Sequence, residues 1–172
     1  MGKALDLLVI SASSGENLKL AERTASIAKA DGLVCSVLDL TLDAPPLFTP
    51  HQQALGIPEQ IAHYQEQLQG AAHWLIWMPE YNGSIPPVFT SAIAWLSTLG
   101  DDFRTLFNGR PVAIASHSGS GGYECLSALR IQLAHLGAHV VGRQLVCNAH
   151  KPARDESIEA ILKALLTLKS PT

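Results

Sequence analysis

Charge is scarce in this chain. Only 16% of its 172 residues are Asp, Glu, Lys or Arg, and the 12 basic residues are outnumbered by 15 acidic ones. A formal charge of −3 supplies no basic surface for a nucleic-acid backbone or an anionic membrane, so neither is expected as a partner. Cysteine is sparse too: Cys35, Cys125 and Cys147 are odd in number and form no CxxC pair. That argues against a disulfide framework and suits a reducing compartment. No apolar run approaches the roughly 18 residues of a membrane span. Asp6 interrupts the first short apolar run, so no signal peptide is expected and the cytoplasm is the expected location. The His residues show neither HExxH nor a paired spacing, and no metal site is expected. No repeat and no long linker divides the sequence, so residues 1–172 are expected to form one domain.

What the chain does have is 47% hydrophobic residues, arranged as short apolar runs alternating with stretches of helical period. Strands are expected at Leu5–Ile10, Val34–Leu40, Trp74–Met78, Val112–Ala115 and Ala138–Val141, the last with a continuation at Gln144–Cys147 beyond Gly142. Helices are expected over 18–30, from about Pro58 to Gly70, over 87–99, around Leu126–Leu136, and around Ile158–Leu165. The proline-rich stretch from Asp43 to Pro50 is expected to be a loop, because proline removes backbone donors. The order βαβα implies an α/β doubly wound parallel sheet with helices on both faces. Such sheets bind ligands beyond the carboxyl ends of their strands.

Three strand-to-helix loops at those ends are chemically unusual. The first, Ser11-Ala12-Ser13-Ser14-Gly15-Glu16-Asn17, sets hydroxyls and a glycine at a helix N-terminus. Two readings stay open for it: a phosphate cradle built from backbone amides and hydroxyls, or plain capping by Ser14 or Asn17. It is neither a Walker loop nor a GxGxxG fingerprint, which argues against an ATPase and a dinucleotide-fold dehydrogenase. The second loop, Met78-Pro79-Glu80-Tyr81-Asn82-Gly83-Ser84-Ile85-Pro86-Pro87, places an aromatic face beside an Asn-Gly turn that permits positive φ. The third, Ser116-His117-Ser118-Gly119-Ser120-Gly121-Gly122-Tyr123, is small enough for backbone to approach a planar ring.

Together these loops, with the Ala92-Ile93-Ala94-Trp95-Leu96-Ser97 stretch, resemble the NAD(P)H-dependent FMN reductase family of flavodoxin-like proteins. The PEYNGSIPP run carries most of the specificity. The resemblance implies a five-stranded sheet of order 2-1-3-4-5 and non-covalent FMN, with NADPH or NADH as co-substrate. It implies that Ser11, Ser13, Ser14, Asn17 and Leu18 wrap the phosphate. Pro79, Glu80, Tyr81, Asn82 and Gly83 would line the flavin ring, joined by Ser116, His117 and Gly119. The expected activity is hydride transfer from NAD(P)H to the flavin N5, then electron delivery to a flavin, quinone or similar acceptor by ping-pong. No side chain is required as a catalytic acid or base, and His117 is expected as a ring-edge hydrogen-bond partner. A homodimer or homotetramer is implied, with Pro86, Pro87 and Phe89 as an apolar rim at the boundary. One departure stands out: the family's first loop usually carries GSxR, and this loop has no Arg. Lys19 and Arg23 come later, so the phosphate falls to backbone and hydroxyl donors.

Two other functions fit parts of the sequence. A flavodoxin-type electron carrier would share the fold but lack its own NAD(P)H turnover. A serine hydrolase would use Ser120 in a Ser118–Gly122 elbow, with His139 or His150 downstream, but no acid lies between Glu124 and Asp155 to complete the usual order. Trp74, Trp77 and Trp95 are expected as core or interface anchors, and Cys35 and Cys125 as buried thiols.

Overall fold

From Leu7 to Ile10, strand β1 (Leu5–Ser11) alternates between two cores, and this alternation organises the computed structural model, which describes residues 5–170. Leu8 and Ile10 join one apolar cluster, while Leu7 and Val9 join the other. Both faces of the strand are therefore buried, as its near-continuous aliphatic run requires. Strand β3 (Ala71–Trp77) sends Trp74 and Ile76 one way and Leu75 and Trp77 the other. Strand β4 (Pro111–His117) splits Val112 and Ile114 from Ala113 and Ala115 in the same manner.

With β2 (Cys35–Asp39) and β5 (His139–Cys147), these strands form one all-parallel sheet in the order β2-β1-β3-β4-β5, the doubly wound order that the resemblance implies. Helices α1 (Glu16–Ala30) and α6 (Asp155–Leu166) cover one face. Helices α3 (Glu59–Gln69), α4 (Pro87–Leu96) and α5 (Tyr123–Leu136) cover the other. The three tryptophans are fully buried, and each indole N–H has an acceptor: Leu68 O for Trp74, Thr24 Oγ1 for Trp77 and Pro46 O for Trp95. Burying such a ring without a partner for its N–H would forfeit much of the gain from its large apolar area.

Three local expectations need correction. The loop expected through Pro50 ends at Thr49, because Pro50 opens a short helix, α2 (Pro50–Ala54). Proline is favoured at a first helical position, where its missing N–H costs nothing, and the Thr49 hydroxyl accepts from Gln52 N at 3.1 Å. The helix expected to reach residue 99 stops at Leu96, where the Ser97 and Thr98 hydroxyls donate to the carbonyls of Ile93 and Trp95. A 3-10 turn at Phe103–Leu106 follows, which hydrophobic period did not indicate. Strand β5 runs unbroken through Gly142, and the interruption expected there is a register irregularity: Val112 pairs with Val140, but Ile114 pairs with Gln144. A glycine is well placed at such a bulge.

Cys35, Cys125 and Cys147 are all buried free thiols. Burial pushes Cys35 and Cys147 up to about 11 and Cys125 up to about 12, so these sulfurs pack rather than react. Among the described residues no helix is long and apolar enough to cross a membrane, and no group of three His, Cys, Asp or Glu is placed to hold a metal.

Candidate functional site

The carboxyl ends of β1, β3 and β4 meet at an open cleft of roughly 340 Å³. The first loop contributes Ser13, Ser14, Gly15, Glu16 and Asn17, and the second loop contributes Pro79 and Tyr81. His117 closes it from the third loop, and Thr41 from the end of β2. Thr41 had no sequence signal. It enters because the Asp39 carboxylate accepts from both its amide and its hydroxyl, at 2.8 and 2.7 Å, and folds the chain back toward the cleft.

At the first loop, helix α1 has Gly15 as its N-cap and no side-chain hydrogen bond to its N-terminus. Neither residue suggested for capping serves as a cap. Ser14 is exposed, and the buried Asn17 side chain turns away to the third loop. There Asn17 Oδ1 accepts from His117 N at 2.8 Å, and its Nδ2 donates to His117 O at 3.0 Å. The amides at the start of α1 thus keep their positive potential for a ligand. Ser11 is also internal: its hydroxyl donates to Ser13 O at 2.8 Å. Leu18 N bonds Gly15 O within the helix, so its amide is already used. The phosphate-type donors left are the Ser13 and Ser14 hydroxyls and the first amides of the helix.

The two cations that follow the first loop are each paired with a carboxylate. Glu16 sits at the mouth and pairs with Lys19 at 2.6 Å. The hydrogen bond and charge of Lys19 hold the Glu16 carboxyl below its ordinary value, and the same contact raises Lys19. Arg23 is committed elsewhere, to Asp155 at 2.6 Å and to Ala153 O at 3.1 Å, where it ties α1 to α6.

The second and third loops are latched to each other. Glu80 N donates to Ser118 Oγ at 2.6 Å, and Ser118 Oγ lies 3.1 Å from the buried Ser116 Oγ. The Glu80 carboxylate accepts from Ser120 Oγ at 2.6 Å and from Cys125 N at 3.2 Å. Helix α5 has Gly122 as its N-cap and no local side-chain cap, so Glu80 supplies the acceptor from a distant loop. Between these anchors, Asn82 and Gly83 both have positive φ, 51° and 72°, and Tyr81 and Ser84 exchange two 3.0 Å backbone bonds. This is the two-residue turn that Asn-Gly favours. It presents Tyr81 half-exposed at the cleft. Gly119 is exposed at the tip of the third loop.

The Ser120 donation and the Cys125 amide hold the Glu80 carboxyl below the usual range. A depressed carboxyl stabilises the fold above the unfolded value of about 4.3 and loses that contribution as pH falls through the lower folded value. The thermal midpoint of Glu80→Gln is therefore expected to lie below that of the native chain at pH 7. The gap should close below about pH 4, as both side chains become neutral. A gap that stays constant down to pH 3 would place the latch elsewhere.

Two expectations fail on this geometry. Phe89 is 3% exposed and Pro86 is buried, so the expected apolar rim of Pro86, Pro87 and Phe89 does not exist as a surface; helix packing draws both residues into the core. The hydrolase reading loses His139 as its base. His139 pairs with Pro111 at the far end of the sheet, whereas Cys147 pairs with His117 beside the third loop. That separation is roughly 20 Å of strand. The Ser120 hydroxyl meanwhile donates to Glu80 rather than to any imidazole.

The sequence and the fold have counterparts among known proteins. The chain matches the NADPH-dependent FMN reductase family over residues 5–151. It is 31% identical over 125 residues to an NAD(P)H-dependent FMN reductase of Pseudomonas aeruginosa, covering 70% of this chain and 66% of that protein. It is 36% identical over 103 residues to a quinone reductase of Escherichia coli, covering 59% of this chain and 53% of that protein. In both cases the match spans less than two thirds of the relative's own length. Among solved structures, the flavoenzyme NAD(P)H:(acceptor) oxidoreductase FerB of Paracoccus denitrificans superposes with a TM-score of 0.75, covering 95% of this chain and 96% of that one at 19% identity, a likeness of fold. With the family match spanning all three loops and all five strands, this chain belongs to the NADPH-dependent FMN reductase family.

Proposed function

We propose that this chain binds FMN in the cleft and works as an NAD(P)H-dependent oxidoreductase, reducing a flavin, quinone or similar small acceptor. The observation that carries the reading is the uncapped start of α1, facing a cleft whose walls are tied together by Asn17 and Ser118. When bound, FMN would supply the redox chemistry, taking hydride at N5 from NAD(P)H and passing electrons on.

The protein's part is holding and orienting. Ser13, Ser14 and the first amides of α1 suit a phosphate without an Arg. Lys19 offsets the nearby Glu16 carboxylate. Tyr81 offers a face for a planar ring. Among the described residues, the amides of Asn82, Gly83, Gly119 and Ser120 are not spent on bonds between the loops, so they remain to meet the polar rim of such a ring. Donors fixed in this way favour negative charge that develops on that rim. His117 is held through its backbone by Asn17, which leaves its imidazole at the cleft wall. No side-chain acid or base is required. A cleft this open, on a sheet with one ligand edge, leads to donor and acceptor using the same face in turn. Ping-pong kinetics is the expected result.

Assembly as a dimer or tetramer belongs to the same reading, supported by the exposed Leu42, Leu47, Leu55 and Ile57 beyond β2. The test is the visible spectrum of the protein after mixing with FMN and gel filtration, then bleaching by NADPH or NADH in the absence of other proteins. A yellow protein of oligomeric mass that bleaches supports the reading. A yellow protein that NAD(P)H does not bleach would be a flavodoxin-type carrier, and one that retains no flavin overturns both.

A further inference from the structure

Among the described residues, three cations with no ion-pair partner line a single groove beside the cleft. Among the described residues, ion pairs join only Lys19 to Glu16 and Arg23 to Asp155. Arg104, Arg110 and Arg130 donate to backbone carbonyls. Arg143, Lys151 and Arg154 are exposed and face one groove of roughly 530 Å³ at the open edge of β5. His150 and Tyr123 complete its walls, and Tyr123 is 56% exposed. Asp155, next to Arg154 in the chain, is turned to Arg23 on α1 instead. Three like charges gathered in a chain of net charge −3 repel one another, and a polyanion relieves that repulsion.

The groove also adjoins the cleft. His117 lines the cleft, and its register partner Cys147 lines the groove, one strand spacing of about 4.8 Å away. Among the described residues strand β5 pairs with β4 alone, and Arg130 takes the carbonyls of Val141 and Gly142, so the edge beyond Gly142 is the part that can offer backbone donors and acceptors to a base. Clustered cations, an exposed aromatic ring and an open strand edge are the chemistry that recognises a phosphorylated nucleoside.

We propose that this groove holds the phosphorylated adenosine end of the dinucleotide donor, with its phosphates on Arg143, Lys151 and Arg154 and its adenine on Tyr123, and that it favours NADPH over NADH. The identity of the donor rests on the function proposed above; the groove itself does not.

The test is calorimetric titration of the full chain with adenosine 2′,5′-bisphosphate, with and without FMN, followed by the same titration of the triple variant Arg143→Gln, Lys151→Gln, Arg154→Gln. Charge-assisted contacts of this kind predict a loss of about 100-fold in bisphosphate affinity in the triple variant. The KM for NADPH should rise by a similar factor, and that for NADH by only about threefold. Equal affinity in native and triple-variant protein overturns the proposal, as does inorganic phosphate binding as tightly as the bisphosphate. Bisphosphate binding lost in the variant, in a protein that does not oxidise NADPH, keeps the groove as a nucleotide site and removes the reductase reading. NADPH turnover with a variant indistinguishable from the native chain does the reverse.

Discussion

Asn17→Asp is expected to weaken FMN binding by about 100-fold and to lower the unfolding free energy by about 2–3 kcal/mol. The native amide is 3% exposed and uses both of its ends: one accepts from His117 N, the other donates to His117 O. The Asp carboxylate keeps the first bond and turns the second into an oxygen facing an oxygen at about 3 Å, which repels. It also adds a negative charge in the first turn of α1, where a phosphate is proposed to sit. Asn17→Ala removes both bonds without adding charge, so it should cost about 1–3 kcal/mol in stability and a smaller factor in FMN affinity. Riboflavin, which lacks the phosphate, separates the two effects. The Asp and Ala variants should bind it with similar loss, whereas for FMN the Asp variant should be clearly the worse. Flavin fluorescence titration reads the affinities and a urea midpoint reads the stability. If FMN and riboflavin respond alike to the Asp variant, the phosphate does not lie at this helix.

The strands were legible because their signal is local. A parallel strand buried on both faces is an unbroken apolar run, and β1, β3 and β4 each have one. The edge strand β5 was harder: only Val141, Leu145 and Cys147 are buried along it, so hydrophobicity fades where the bulge lies. Proline misled at Pro50 for a related reason. The residue that ends one element is equally suited to begin the next, and only the Thr49 cap tells the two apart.

In the site, the residue types were legible but not the direction in which they point. Asn17 sits where a cap or phosphate ligand would, yet its partner lies a hundred residues away. Glu80 has the look of a ring-lining residue, while its carboxylate caps α5. Ser118, which accepts from the Glu80 amide, stood out no more than its neighbours in a loop of serines and glycines. These are tertiary hydrogen bonds between segments far apart in sequence, and no periodicity announces them. Arg23 shows the same limit from the other side: a cation near the first loop by sequence is drawn to α6 by Asp155.

Gly122→Val is expected to be the most destabilising single change at the site, costing about 3–5 kcal/mol, and to abolish retention of FMN. Gly122 has φ of 77°, a left-handed conformation that costs a side chain about 1–2 kcal/mol. It also faces the buried Ser116. An added Cβ would fall 2.3 Å from Ser116 Oγ and 2.6 Å from Ser116 Cβ, both closer than any real contact. Ser116 cannot swing away freely, because its Oγ is bonded to Ser118 Oγ, which in turn accepts from Glu80 N. The clash therefore propagates into the latch between the second and third loops. Gly119→Ala is the matched control: a Cβ there meets nothing within 4 Å, so its effect should stay within about 0.5 kcal/mol. The double variant Gly122→Ala, Ser116→Gly separates the two causes. Removing the Ser116 side chain relieves the clash but not the left-handed backbone, so the pair should be less destabilised than the sum of the two single changes by about 1–3 kcal/mol. Additive single and double variants, measured by chemical denaturation, would show that the backbone conformation alone sets the cost and that the latch does not depend on the contact beneath it.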